Sequence, residues 1–160
     1  VDKFLNEIND IPVFLHGSYL INIGGDSQFL HKSINSLIDH MTAAHQLGAT
    51  GVIFHCGSHK GAGFQAIFDQ AVSCLKSVLH DTPNETLLII ENSAGAGGQI
   101  GSKLTEIGQL IKLESLSLSY KRCKRVLRYH QSRIDNDTRL WLSFPSVHLL
   151  VLFPFFCLLF

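Results

Sequence analysis

Three short apolar runs each lead into a side chain able to ligate a metal, at nearly regular intervals. Pro12-Val13-Phe14-Leu15 leads into His16, Gly51-Val52-Ile53-Phe54 into His55, and Leu87-Leu88-Ile89-Ile90 into Glu91, at spacings of 39 and 36 residues. Runs this short, apolar throughout and rich in β-branched or aromatic residues, read as strands buried on both faces. The stretches between them have a different period. From Phe29 to Leu47, Ile34, Leu37, Ile38 and Met41 recur at helical spacing, and Gly48 supplies a stop. Phe64, Ile67, Phe68, Ala71, Val72, Leu75, Val78 and Leu79 form a second apolar stripe, closed by the turn Asp81-Thr82-Pro83-Asn84. Gln99 to Lys112 carries a third such pattern in Ile100, Leu104, Ile107, Leu110 and Ile111. The resulting β-α-β-α-β-α order predicts an α/β fold with a parallel sheet.

In a parallel βα array the C-terminal ends of successive strands meet on one rim, where such folds bind ligands. Two imidazoles and a carboxylate on that rim suit zinc or manganese. A single histidine after a strand is more often structural, but three ligand-type residues in phase favour a site. Glu91 is the most informative, because a carboxylate ending an aliphatic strand is costly to bury without a cation or a chemical role. A salt-bridged structural Glu91 is the alternative.

The loops that follow are glycine-rich: Gly57-Ser58-His59-Lys60-Gly61-Ala62-Gly63 and Ser93-Ala94-Gly95-Ala96-Gly97-Gly98-Gln99-Ile100-Gly101. Neither fits a dinucleotide fingerprint or a Walker loop. Close approach to a phosphate and simple tight turns are both open for them, and His59 and Lys60 suit either solvent or a phosphate.

Three motifs together resemble a known family. His16-Gly17-Ser18-Tyr19-Leu20-Ile21-Asn22, Phe54-His55-Cys56-Gly57-Ser58-His59 with Gly61-Ala62-Gly63, and Ile90-Glu91-Asn92-Ser93-Ala94-Gly95 with Gly97 are similar to successive motifs of endonuclease IV, across roughly residues 2–112. The resemblance implies a xylose isomerase-like TIM (β/α)8 barrel, here incomplete: about three βα units with an atypical C-terminal tail. It implies a zinc-dependent apurinic/apyrimidinic endonuclease of base excision repair that cleaves the phosphodiester 5′ to an abasic site in double-stranded DNA. By that likeness His16 and His55 ligate one zinc and Glu91 bridges to a second, with Glu91 the catalytic carboxylate. Tyr19 falls in a DNA-penetrating loop, where an aromatic ring can stack beside an extruded abasic nucleotide. Packing at the rim with a wet hydroxyl is the plainer role for Tyr19.

The likeness ends after the third helix. The family's later Asp, His and Glu ligands have no counterpart, so of a three-zinc site only the first set of ligands is present, and weak or no catalysis is expected. His130 keeps the period, 39 residues after Glu91, but Arg125 and Arg128 break the run a buried strand needs. Val1 to Asn9 reads as the end of a helix, so about two further βα units are expected ahead of it. The four cysteines have no CxxC spacing, which suits reduced thiols in an intracellular protein. A monomer is expected, in the nucleus if eukaryotic or the cytoplasm if bacterial, with the mitochondrion as the alternative.

Charge divides the chain in the same place. Thirteen Lys and Arg balance thirteen Asp and Glu overall. Residues 1–112, however, hold six Lys and ten acidic residues, net −4, while residues 113–160 hold seven basic and three acidic residues, net +4. Bulk positive charge therefore does not mark the α/β segment as a nucleic-acid binder. The expected organisation is a barrel segment at 1–112, a basic irregular segment at 113–139 and a hydrophobic tail at 140–160. That tail has 16 apolar side chains in 21 residues and no charge, long enough to span a bilayer, the only expected route to a membrane. Pro145 and Pro154 interrupt it, so a spliced or frame-altered ending is preferred. Two competing functions stand beside the nuclease: a sugar isomerase or epimerase of the same barrel superfamily, and a non-catalytic truncated product.

Overall fold

A computed structural model describes residues 12–115 together with the short strands at 143–144, 147–148 and 150–152. Its first part alternates β1 (Val13–His16), α1 (Ser27–Gln46), β2 (Gly51–His55), α2 (Phe64–His80), β3 (Leu87–Glu91) and α3 (Leu104–Ser115). The three strands are parallel and adjacent, with β2 between β1 and β3. Phe14 pairs with Gly51 and His16 with Ile53, while Ile53 pairs with Ile89 and His55 with Glu91. This is the expected α/β array of three βα units, an incomplete barrel rather than a closed one.

The strand residues are apolar on both sides because both sides are buried. Val13, Val52, Phe54, Leu88 and Ile90 face the helices and join one large core. From α1 that core takes Leu37, Met41 and Ala44, and from α2 Ile67, Ala71, Leu75 and Val78. These residues recur every three or four positions, so the helical stripe lands on the sheet. The alternate strand residues Phe14, Ile53 and Ile89 form a second, smaller cluster. Period-two alternation puts His16, His55 and Glu91 on this second face, each one step beyond a buried apolar residue.

The ligand-type residues are the last residues of their strands, as expected, whereas the third helix starts at Leu104 rather than Gln99. Gly101 has φ +83° and its N–H donates to Glu106 Oε2 at 3.0 Å, so the segment before Leu104 is a turn folded back on the helix start. Ile100 is buried from that turn, which is why it mimics a helical position.

Beyond α3, β4 (Ser143–Phe144) and β5 (Val147–His148) pair antiparallel, and β6 (Leu150–Leu152) runs parallel to β1 on the side away from β2. The rest of the expected basic segment and hydrophobic tail, with His130, Cys123 and Cys157, and the start of the chain lie outside the described residues. Among the described residues no helix is long and apolar enough to cross a membrane. Cys56 and Cys74 are buried and free of disulfides.

Candidate metal centre

The parallel register places the three expected ligands side by side at the C-terminal ends of β1, β2 and β3. His16 Nε2 lies 2.9 Å from Glu91 Oε2, and His55 Nε2 lies 3.4 Å from the same oxygen. The imidazole centroids are 5.3 Å apart. One ligand atom from each of the three residues falls within 4.8 Å of the others. A tetrahedral zinc with bonds of roughly 2.0–2.1 Å holds its donors about 3.3–3.4 Å apart, the spacing of the His55–Glu91 pair. The His16–Glu91 contact is shorter than that and would open by about 0.4–0.5 Å.

The three groups also shift one another's proton affinities. His16 Nδ1–H donates to the Gly17 carbonyl at 2.9 Å, leaving Nε2 aimed at the carboxylate. Both nitrogens therefore face acceptors, and the hydrogen bond to Glu91, helped by the Gly17 carbonyl and the carboxylate charge, raises the His16 pKa against the effect of burial. An outer hydrogen bond of this kind fixes the ring and the ligating nitrogen. The proton bridging Nε2 to Oε2 is what a cation at that point replaces. Burial pushes Glu91 up, but the His16 hydrogen bond and the two neighbouring imidazoles outweigh it and hold the carboxyl below its usual range. His55 is shifted down, first by burial and then by its neighbour His16, against the pull of Glu91. A neutral His55 beside an ionised Glu91 is the pair a divalent metal requires.

Tyr19 sits on the loop after β1, its ring edge-on to His55 with centroids 6.1 Å apart. It is 80% exposed, and its neighbour Leu20 is 88% exposed. The tip therefore presents a largely exposed aromatic and an exposed aliphatic side chain beside the ligand cluster. Sequence reasoning named Tyr19 and left Leu20 unassigned; in Ser18-Tyr19-Leu20-Ile21-Asn22 no pattern separates the exposed Leu20 from the buried Ile21.

The glycine-rich loops are laced to each other. Ser58 Oγ donates to the Gly97 and Gly98 carbonyls at 3.0 and 3.1 Å, and His59 N–H donates to the Gly98 carbonyl at 3.0 Å. His59 Nδ1 accepts the N–H groups of Gly61 and Gly63 at 3.2 and 3.1 Å, so His59 closes its own loop. Lys60, at φ +46°, reaches Asp26 Oδ2 at 3.4 Å, both side chains being exposed. These contacts favour the tight-turn reading of both loops.

Comparison with known proteins agrees with this geometry. Residues 1–117 match the family model described as the xylose isomerase-like TIM barrel. A probable endonuclease 4 from Halothermothrix orenii is 36% identical over 104 residues, covering 64% of this chain and 37% of the relative. One from Thermoplasma volcanium is 32% identical over 114 residues, covering 68% of this chain and 39% of the relative. The crystal structure of endonuclease IV from Thermus thermophilus superposes with a TM-score of 0.54 at 28% identity, covering 62% of this chain and 35% of that one. The chain thus spans under two fifths of the length of these relatives. The chain, a parallel βα array with two histidines and a glutamate on its rim, belongs to the xylose isomerase-like TIM barrel family, with kinship to endonuclease IV.

Proposed function

We propose that the chain carries the first metal-binding portion of a zinc-dependent abasic-site endonuclease acting on double-stranded DNA in base excision repair. His16 and His55 bind one zinc, Glu91 shares its carboxylate with that zinc and acts in catalysis, and Tyr19 contacts the DNA. The observation that carries this reading is the meeting of His16, His55 and Glu91 at one point. When bound, such an ion supplies Lewis-acid polarisation of a phosphodiester and concentrated positive charge against the developing anion. The chain's own residues hold the ion, fix the His16 tautomer through Gly17, and keep Glu91 ionised. The exposed Tyr19 and Leu20 favour DNA over a sugar substrate, since small-molecule sites enclose their ligand and tuck apolar side chains inward.

Three protein ligands leave a coordination position open, as hydrolytic metal sites do. The further ligands of a multi-zinc centre are not among the residues described, so weak or no incision by this chain alone is expected. Incubation of the purified chain and zinc with a duplex carrying an abasic analogue tests both statements. Zinc binding that depends on all three residues, with little incision, supports the reading. Robust incision abolished by Glu91→Gln would contradict the predicted weakness, and no zinc binding would contradict the site.

A further inference from the structure

The exposed tip at Tyr19 and Leu20 stands on a base held by several polar ties, four of which involve Asn22. Asn22 Oδ1 accepts the N–H groups of Gly24 and Ser58, both at 3.1 Å. Its backbone N–H donates to Ser33 Oγ at 3.0 Å, and the Ser33 hydroxyl donates back to the Asn22 carbonyl at 3.3 Å. Ser33 is a buried residue of α1. Asn22 therefore joins three pieces of chain: the loop after β1, the loop after β2 and the first half of α1.

Gln70 Nε2 donates to the Ile23 and Gly25 carbonyls at 3.1 and 2.9 Å, and two backbone bonds add to the mount. Gly17 N–H donates to the Ile53 carbonyl at 2.7 Å, and Ile23 N–H donates to the Cys56 carbonyl at 3.0 Å. The segment 17–23 thus leaves and rejoins the exit of β2 on either side of the ligand His55. Ile21 and Ile23 are buried beneath it, while Tyr19 and Leu20 stay outside. Within the tip, Ile21 N–H reaches the Ser18 carbonyl at 3.1 Å and Leu20 N–H reaches Ser18 Oγ at 3.2 Å. Large side chains held ready on an ordered loop lose less conformational entropy when they meet a partner.

We infer that Asn22, supported by Ser33, is a positioning residue that holds the Tyr19–Leu20 tip at a fixed place relative to the metal centre. Its role in binding rests on the DNA reading above; its role in ordering the tip does not. The metal ligands sit on strands with their own ladder bonds, so loosening the tip leaves zinc binding in place.

The test uses the full chain and its variants Asn22→Ala, Asn22→Asp and Ser33→Ala. Three quantities are measured: amide hydrogen exchange at residues 19–21, zinc affinity, and binding of a duplex carrying a tetrahydrofuran abasic analogue. Asn22→Ala is expected to speed exchange at the tip by about tenfold or more and weaken duplex binding about tenfold, with zinc affinity within about twofold. Asn22→Asp keeps the oxygen that accepts both N–H groups and is expected to restore slow exchange. Ser33→Ala makes the same change more weakly and serves if Asn22→Ala does not fold. Unchanged exchange in both alanine variants would overturn the inference. Parallel loss of zinc and fold without rescue by Asn22→Asp would overturn it as well. A loosened tip with unchanged duplex affinity would overturn the role in binding and leave the DNA reading intact. If the parent chain ignores DNA while the tip responds as expected, the DNA reading fails and the ordering role stands.

Discussion

His55 and Glu91 face each other directly in the parallel register of β2 and β3, with Nε2 3.4 Å from Oε2. That one pairing converts a spacing of 36 residues in the sequence into a ligand pair. Removing either partner should therefore act on metal binding far more than on the fold. His55→Ala and Glu91→Gln are each expected to lower zinc affinity by more than the roughly 10–100-fold typical of losing an outer-shell partner. Competition titration against a chromophoric chelator measures this, with circular dichroism to show that the helices persist.

Metal binding should be pH-dependent in a direction set by His16. Its pKa is raised above 6.5, so protons compete with the ion at a higher pH than for an ordinary imidazole. Affinity is expected to fall as pH drops through that raised value, and Glu91→Gln should move the fall to lower pH. In chelator, the same shifts bear on stability. The folded state holds the His16 proton more tightly than the unfolded one, so that contribution is full below 6.5 and is lost as pH rises through the raised value. The Glu91 contribution is present above 4.5 and is lost as pH falls through its lowered value. His55, lowered chiefly by burial, acts against His16: its contribution is present above 6.5 and declines on acidification. Thermal melts from pH 4 to 9 in chelator should show the alkaline loss in the parent and not in Glu91→Gln, the removed carboxylate being the main cause of the His16 shift.

Gly57 is required twice over. Its φ is +83°, and a Cβ there would lie 2.4 Å from Asn22 Oδ1. Gly61 has φ +91° with open space around it. Gly61→Ala is expected to cost about 1–3 kcal/mol from backbone strain alone, and Gly57→Ala clearly more, because Asn22 must also move. Urea denaturation of the two variants side by side checks the difference.

Cys74 reports on the core. It is buried on α2, and burial pushes its thiol up to about 11. Alkylation at pH 8 should leave Cys74 untouched in the folded chain and modify it only as the chain unfolds, since the thiolate is the reacting form. Rapid labelling in the absence of denaturant, located by peptide mass analysis, would show that α2 is not packed on the sheet.

Much of this was legible in the sequence, for a physical reason. Buried parallel strands must be apolar on both faces, so runs such as Leu87–Ile90 stand out, and a chargeable residue at the end of each is conspicuous by contrast. The start of α3 was harder to read, because Ile100 satisfies a helical period while being buried from a turn that Gly101 bends. The Asn22 hub was not legible at all. Its bond to Ser58 joins loops 36 residues apart, and nothing in composition or period distinguishes that amide from any other polar side chain in a loop. The exposure of Tyr19 and Leu20 follows from the same ties, and so was equally hidden.

Whether His16, His55 and Glu91 hold a zinc ion is read from the ligand atoms themselves by zinc K-edge X-ray absorption on the zinc-loaded chain. A first shell of nitrogen and oxygen at about 2.0–2.1 Å is expected, with the multiple-scattering signature of two imidazoles, reduced to one in His16→Ala and in His55→Ala. A sulfur shell near 2.3 Å, or a spectrum unchanged by either substitution, would contradict it.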